Sequence, residues 1–406
     1  MSKVANSERK HIVFAGKRNS GKSSLVNRFI GQDLVIVSDT PGTTTDPVKK
    51  AMELLPFGPV VLVDTAGVDD IGELGAKRIN KSVQEITKAD FVIVVVEADK
   101  ILDETEINLF KYLNDFEIPF IVVINKSELG INYELIEQLN SKGIKHFSVS
   151  CKNNEGILEL KEKVAKLIPQ ESEPPLIGDL VQRHDVIVLV VPIDLGAPKG
   201  RLIMPQVQTI REALDEDTIV VVVKDKELRA ALDKLSTPPK LVVTDSQAIM
   251  RVAADVPDNI PLTTFSILMA RHKGDLQEYV RGIKQVDKLQ NGDKVLISEA
   301  CSHHAQEDDI GKIKIPRWLR NHTKKDLVID VRNGADFPEN LSEYKLIIHC
   351  GACMITRRAM QVRIKEAKLA GIPIVNYGII ISYMHGAIPR AILPFDEARA
   401  EWERIS

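Results

Sequence analysis

The chain has 406 residues, of which 44% are hydrophobic and 27% are charged, and its formal net charge is −3. This length allows two or three domains with separate cores, and the near-neutral charge argues against nucleic-acid backbone binding as the main function. Residues 1–10 lack the apolar stretch of a secretory signal, and no apolar run approaches the ~20 residues of a membrane helix. We therefore expect a cytoplasmic protein without a membrane or nucleic-acid partner, in which cysteines act as ligands rather than in disulfides.

An apolar strand over residues 11–15 runs directly into a stretch, from Gly16 to Ser23, that fits the pattern G-x-x-x-x-G-K-[ST]. In this motif backbone N–H groups surround the phosphates, Lys22 reaches the β and γ oxygens, and Ser23 binds Mg²⁺. The following helix points its positive end at the same anion. The predicted nucleotide contacts of this loop are Gly16, Asn19, Ser20, Gly21, Lys22, Ser23 and Ser24.

Two further segments have the character of nucleotide-sensing switches. Thr44, in a run of three threonines, is predicted to reach Mg²⁺ and to sense the γ-phosphate. A strand over residues 60–63 ends at Asp64, a predicted Mg²⁺ carboxylate, and Gly67 is predicted to donate its backbone N–H to the γ-phosphate. The predicted catalytic residues are Lys22, Thr44 and Gly67.

Strands over residues 91–96 and 120–124 are entirely apolar, as a parallel sheet buried on both faces requires. The second strand ends at a segment in which the Glu128 carboxylate can accept hydrogen bonds from N1–H and N2–H₂ of guanine, a donor pair that adenine lacks. The predicted base-pocket residues are Asn125, Lys126, Glu128, Ser150, Cys151 and Lys152. These ordered motifs predict a domain, residues 8–170, that binds GTP with Mg²⁺.

This domain resembles the TrmE-Era-like branch of the translation-factor class of GTPases. Glu128 departs from the family's usual N-K-x-D pattern, and Val68 stands where Ras-like proteins have a water-orienting glutamine. In potassium-activated relatives the residue at the position of Asn19 coordinates K⁺, so the resemblance implies potassium-stimulated hydrolysis. The residue that orients the water remains open among Asp69, Asp70 and Glu73, each of which has a solvated switch face as its simpler interpretation.

A proline- and acid-rich stretch over residues 169–175 predicts a semi-rigid linker. Residues 177–266 then predict a small α/β domain, with strands over 186–191, 218–223 and 240–244 and helices over 206–214, 227–235 and 246–254. This segment shows no catalytic motif. We therefore expect it to mediate association, as a homodimer.

Residues 267–406 predict a third α/β domain, with a helix over 275–289, strands over 293–298 and 344–349, and a helix over 356–370. The predicted metal ligands, which follow the two strands, are Cys301, His303, His349, Cys350 and Cys353. The two thiolates of a C-x-x-C pair can bind one metal centre, and a thiolate from an upstream loop can provide a third ligand. Three thiolates leave one iron of a cluster to His303, His349, a carboxylate, water or an exchangeable ligand, and a Cys₃His zinc site is the metal-level alternative.

The pairing of C-x-H with a downstream H-C-x-x-C, behind a GTPase domain, resembles the HydF family of hydrogenase-maturation GTPases. The resemblance implies a 4Fe-4S cluster on Cys301, Cys350 and Cys353. It also implies a scaffold that receives a diiron subcluster precursor from two radical-SAM maturases and delivers it to apo iron-iron hydrogenase. The alternative function is an RNA- or ribosome-associated GTPase with a zinc module. The predicted fold class is α/β: a P-loop GTPase domain with a parallel-type sheet, then two smaller α/β domains.

Overall fold

The computed structural model describes residues 9–31, 47–67, 81–169, 173–192, 202–300, 309–334, 337–338 and 340–405. The chain divides into two compact units, Met1–Ser172 and Glu173–Ser406. Among the described residues, no helix combines the length and apolarity needed to cross a bilayer.

The first unit is built on a six-stranded sheet with the order β2-β3-β1-β4-β5-β6. Among the strands that the structure describes here, β2 at the edge runs antiparallel to its neighbour, and the other pairings are parallel. The parallel core confirms the fold class, while the antiparallel edge was not predicted. The strands are β1 (Lys10–Gly16), β2 (Val48–Leu54), β3 (Gly58–Asp64), β4 (Phe91–Glu97), β5 (Phe120–Asn125) and β6 (His146–Ser148).

Helices cover both faces of this sheet, because successive residues of a strand point to opposite faces. In β1, Ile12 and Phe14 pack into one core with Phe29, whereas Val13 packs into the other with Phe110. The all-apolar strands follow from this two-sided burial. The helices are α1 (Lys22–Ile30), α2 (Glu104–Asp115), α3 (Tyr133–Ser141) and α4 (Ile157–Leu167), and residues 81–87 are also helical.

The second unit contains two four-stranded sheets, with the orders β10-β9-β7-β8 and β12-β11-β13-β14. All pairings in both sheets are parallel. The strands are β7 (Val186–Val190), β8 (Ile219–Val223), β9 (Leu241–Thr244), β10 (Leu262–Thr264), β11 (Lys294–Glu299), β12 (Val328–Asn333), β13 (Leu346–His349) and β14 (Ile374–Asn376).

A helix lies between most consecutive strands of these sheets, because parallel strands need a long crossover connection. The helices are α5 (Met204–Asp215), α6 (Leu228–Leu232), α7 (Ile249–Asp255), α8 (Phe265–Lys273), α9 (Leu276–Gly282), α10 (Ile315–Thr323), α11 (Arg357–Leu369), α12 (Tyr377–Met384), α13 (Ile388–Ala391) and α14 (Asp396–Ile405). A π-helical turn, Ile310–Lys314, leads into α10.

One hydrophobic core joins the two sheets of the second unit. It contains Leu189 of β7, Ile297 of β11 and the buried residues Phe265 and Leu268 of α8. The helix α8 is therefore apolar on several sides, as a helix between two layers must be. The boundary predicted between residues 266 and 267 falls inside this helix, so the two predicted domains share a core.

The helix predicted over residues 275–289 is two elements, α9 and the 3₁₀ segment Ile283–Lys288. Gly282 ends α9 against the backbone of β14, where a Cβ would lie 2.3 Å from the carbonyl oxygen of Ile374. This close approach needs glycine and is a tertiary contact, which the helical period of the sequence does not report.

Candidate functional site

The phosphate-binding loop lies between β1 and α1 and holds Lys22 against its own backbone. Lys22 is buried, and its Nζ donates to the carbonyls of Gly16 and Lys17 over 2.9 and 2.6 Å. Ser20 is buried as well and donates from Oγ to the Lys17 carbonyl. Those carbonyls hold the ammonium within the loop.

Two glycines of the loop are required by close packing as well as by conformation. Gly16 has φ +138°, and a Cβ there would lie 2.3 Å from the carbonyl oxygen of Val95. Gly21 has φ +91°, and a Cβ there would lie 2.2 Å from Nδ2 of Asn125. Asn19 adopts a left-handed φ of 63° and is exposed. The tight loop therefore leaves room for phosphates without side chains in the way.

Ser23 and Asp64 form the part of the predicted magnesium site that the structure describes. Ser23 hydrogen-bonds to the Asp64 carboxyl; burial raises the pKa of that carboxyl, and the bond opposes the rise. Within the described ranges, Asp64 Oδ1 is a buried oxygen without a hydrogen-bond partner. A hydroxyl beside a buried carboxylate oxygen is the donor set that Mg²⁺ prefers, so these residues fit the ion. Gly67 is buried three residues beyond β3, and Thr44 lies outside the described residues.

The predicted base pocket is held together by hydrogen bonds between three loops. Asn125, at the end of β5, donates to the Ser20 carbonyl and accepts from the backbone N–H of Cys151, over 3.0 and 3.2 Å. Ser150 Oγ donates to the Glu128 carboxylate over 2.6 Å and holds the pKa of that carboxyl below its ordinary value. Lys126 pairs with Glu97 of β4 at 2.5 Å.

A cavity of about 440 Å³ opens between these loops. Its predicted lining residues are Gly21, Ser24, Asn125, Lys126, Glu128, Cys151 and Lys152. Asn27 and Arg28 also line it and were not predicted. Arg28 donates from Nε to the Cys151 carbonyl over 3.1 Å. Burial raises the pKa of the Cys151 thiol to about 11, so this cysteine is neutral at physiological pH.

The C-x-x-C turn follows β13 at the carboxyl edge of the last sheet. Cys350 Sγ accepts a hydrogen bond from the backbone N–H of Ala300 over 3.1 Å, and the Cys350 N–H donates to the Ser298 carbonyl over 3.0 Å. Ala300 directly precedes Cys301, which lies outside the described residues together with His303. β11 and β13 are parallel neighbours in the sheet, so both strands end at this edge.

The turn itself is shaped to present both thiols. Ala352 has a left-handed φ of 56°, and Thr356 caps α11 by accepting from the N–H of Ala359. Burial raises the pKa of the Cys350 thiol, and hydrogen bonds from the Ala300 and Ala352 N–H groups oppose this rise. Burial also raises the pKa of the Cys353 thiol, to about 11. A bound metal ion reverses this effect because it favours the thiolate. Two thiols on one turn that receive backbone hydrogen bonds fit a thiolate-bound metal.

His349 is fully buried and both of its ring nitrogens are engaged. Its Nδ1–H donates to the Cys350 carbonyl over 2.9 Å, and its Nε2 accepts from Arg363 over 2.8 Å. Burial lowers its pKa to about 3, so it is neutral. Metal ligation by His349 would require the bond from Arg363 to break. Within the described ranges no three His, Cys, Asp or Glu side chains converge as a metal-binding group.

The first unit thus has the fold and site of a P-loop GTPase, and the second presents a cysteine turn at a parallel sheet edge. Residues 11–126 match the family model of the 50S ribosome-binding GTPase, residues 176–274 that of the hydrogen maturase F dimerization domain, and residues 277–394 that of the hydrogen maturase F tetramerization domain. The latter two together cover more than half of the chain. The chain belongs to the hydrogen maturase F (HydF) family, and its N-terminal domain is a GTPase domain.

Other relatives match a shorter part of the chain. GTPase Der of Campylobacter hominis is 33% identical over 163 residues, 40% of this chain and 35% of that protein. The tRNA modification GTPase MnmE of Clostridioides difficile is 34% identical over 160 residues, 38% of this chain and 34% of that protein. The chain thus spans about a third of the length of these relatives. Era of Aquifex aeolicus, solved with GDP and aluminium fluoride, is 19% identical with a TM-score of 0.34, over 53% of this chain and 92% of that chain.

Proposed function

We propose that this chain is a GTPase scaffold that carries a diiron subcluster precursor to apo iron-iron hydrogenase. The observation that carries the proposal is the contact of Ala300 N–H with Cys350 Sγ, 3.1 Å apart. It brings the residue before Cys301 to the sulfur of the C-x-x-C turn. The membership of the chain in the hydrogen maturase F family supports the same function.

Cys301, Cys350 and Cys353 would hold a 4Fe-4S cluster, with His303 or His349 near the fourth iron. Such a cluster would supply an iron that lacks a cysteine ligand and could therefore bind exchangeable groups. The chain's own contribution is to orient the thiols by the left-handed Ala352 and by the N–H bonds to Cys350. The radical-SAM maturases and the hydrogenase are the proposed partners that load and unload the cargo.

GTP with Mg²⁺ would bind the first unit, with Lys22 on the phosphates and Ser23, Thr44 and Asp64 at the metal. The Gly67 N–H and Thr44 would sense the γ-phosphate. Asn19 would coordinate K⁺, whose charge stabilises the transition state in place of an arginine finger. Hydrolysis would be slow and would switch partner contacts without driving chemistry at the cluster.

A homodimer is proposed to form through β8, the edge strand of the first sheet of the second unit. Ile219 and Val222 of this strand are 52% and 45% exposed. An exposed apolar edge strand pairs readily with a second copy of itself, and charged residues usually prevent this. The matching family models are described as dimerization and tetramerization domains. Light scattering at micromolar concentration should show that V222K no longer forms the dimer. K224A, which changes a residue just beyond the end of β8, should still form it.

Anaerobic reconstitution with iron and sulfide tests the cluster. The wild type should bind about four irons and show an EPR signal on reduction, while C301A should lose most of that iron. Zinc retention with no iron signal would favour the zinc alternative, and copurification with RNA would favour the RNA-associated alternative. Activation of apo-hydrogenase by the cargo-loaded chain then tests delivery, with C301A as the matched control.

A further inference from the structure

Arg363 is a buried charge in the interior face of α11. Only 3% of its surface is exposed, and the neighbouring positions of that face, Met360, Ile364 and Ala367, are apolar. A guanidinium loses much hydration energy in such a place, so it persists only where it has strong hydrogen bonds or a compensating anion.

The guanidinium of Arg363 links the carboxyl ends of three neighbouring strands. Its Nη1 donates to Nε2 of His349, at the end of β13, over 2.8 Å, and to Oγ of Ser298, in β11, over 3.4 Å. Its Nη2 donates to the carbonyl of Gly334, just after β12, over 2.7 Å. The ring of Phe337 lies 5.0 Å from the guanidinium carbon. Among the described residues, these hydrogen-bond partners are uncharged, and the carboxylate of Glu366 acts on the guanidinium through its charge.

A chain of two hydrogen bonds connects Arg363 to the cysteine turn. Arg363 donates to His349, and the opposite ring nitrogen of His349 donates to the carbonyl of Cys350 over 2.9 Å. Asn376, from β14, donates to the same carbonyl over 3.4 Å. The peptide that begins the C-x-x-C turn is therefore held from two sides.

The buried positive charge of Arg363 is linked by two hydrogen bonds to the peptide of Cys350. A cluster bound by three thiolates carries net negative charge, and each added electron makes it more negative. The net charge and the hydrogen bonds around a cluster set its reduction potential.

We propose that Arg363 is a positioning residue of the cysteine site, whose charge compensates the anionic cluster while its hydrogen bonds hold the Cys350 turn through His349. Because the cluster belongs to the proposed function, Arg363 has this role only if the wild-type chain binds one. A nearby fixed positive charge stabilises the reduced state more than the oxidised state. Loss of that charge should therefore shift the midpoint potential to more negative values.

The test compares R363M, R363K and S298A with the wild type after anaerobic reconstitution. R363M removes the positive charge at similar side-chain volume. R363K keeps the charge but lacks the planar guanidinium that donates to several partners at once. S298A removes only the longest of the hydrogen bonds to Arg363, the one to Ser298 Oγ. Midpoint potentials come from EPR-monitored redox titration, with iron content measured beside them. Circular dichroism melting shows whether each variant folds, and GTP turnover monitors the first unit.

A more negative potential in R363M, with R363K and S298A close to the wild type, supports the proposal. Loss of the cluster in folded R363M but not in R363K also supports the proposal, because cluster retention then depends on the positive charge and not on the shape of the side chain. An unchanged potential in R363M, or equal loss of the cluster in R363M and R363K, overturns it. A wild type that takes up no iron instead rejects the proposed cluster function, so the two failures are distinguishable.

Discussion

Asn125 donates a hydrogen bond from its side-chain amide to the carbonyl of Ser20 over 3.0 Å. The loop expected to hold the base is thereby tied to the loop expected to hold the phosphates. The bond depends on Gly21, since a Cβ there would lie 2.2 Å from the Asn125 amide nitrogen. The oxygen of the same side chain accepts from the N–H of Cys151 and connects the third loop.

Replacement of Asn125 by alanine should weaken GDP binding about tenfold or more. The change removes two hydrogen bonds that each contribute roughly 1 kcal/mol, and about 1.4 kcal/mol corresponds to a factor of ten. Titration with a fluorescent GDP analogue measures the dissociation constant. N132A is the matched control: its side chain caps α3, so it should lower stability by about 1 kcal/mol with no change in affinity. Equal GDP affinity of N125A and wild type would contradict the role.

Replacement of Glu128 by alanine should lower guanine nucleotide affinity by about tenfold to a hundredfold. Hydrogen bonds to a charged group are stronger than those between neutral groups, and the Glu128 carboxylate already receives a bond from Ser150. E128D restores the usual residue of related GTPases and should keep the preference for GDP over ADP. Competition titrations with both nucleotides provide the measurement, and an E128A variant that still discriminates them would exclude the assignment.

Replacement of Asn19 by alanine should abolish the potassium stimulation of GTP hydrolysis. The exposed, left-handed Asn19 lies on the phosphate loop, where its oxygen is available to a cation. Turnover is measured in matched K⁺ and Na⁺ buffers of the same ionic strength. The wild type should be faster in K⁺, and N19A should be equally slow in both. Equal rates of the wild type in the two buffers would refute the potassium proposal.

Alkylation of Cys151 should be slow at neutral pH and should accelerate as the pH rises. Burial raises the pKa of this thiol to about 11, so the reactive thiolate increases about tenfold per pH unit below that value. Mass spectrometry after brief iodoacetamide treatment measures the rate, in a chain with Cys301, Cys350 and Cys353 replaced by serine. GDP should protect Cys151, because this residue lines the cavity. A pH-independent rate, or no protection, would place the thiol outside the pocket.

The order of motifs along the chain was enough to predict the GTPase domain and the edge at which the cysteine turn lies. A phosphate loop after β1, a carboxylate after β3 and a base motif after β5 follow from the rule that sites form at the carboxyl ends of parallel strands. β11 and β13 pair in parallel, with Ser298 beside His349, so both strands end at the same edge of the sheet. Each of these motifs directly follows its strand in the sequence, and the rule applies to every α/β fold with a parallel sheet.

The tertiary structure alone decided what surrounds those residues. The shared core around α8 joins two domains that the sequence separates, because a helix buried on several sides has no single apolar face to reveal its partners. Arg363 lies fourteen residues beyond His349, in an otherwise apolar helical face. A single charge in such a face indicates a buried polar partner, and no prediction from the sequence used it. Its position beneath three strand ends depends on how α11 packs, and long-range packing leaves no periodic pattern in the chain.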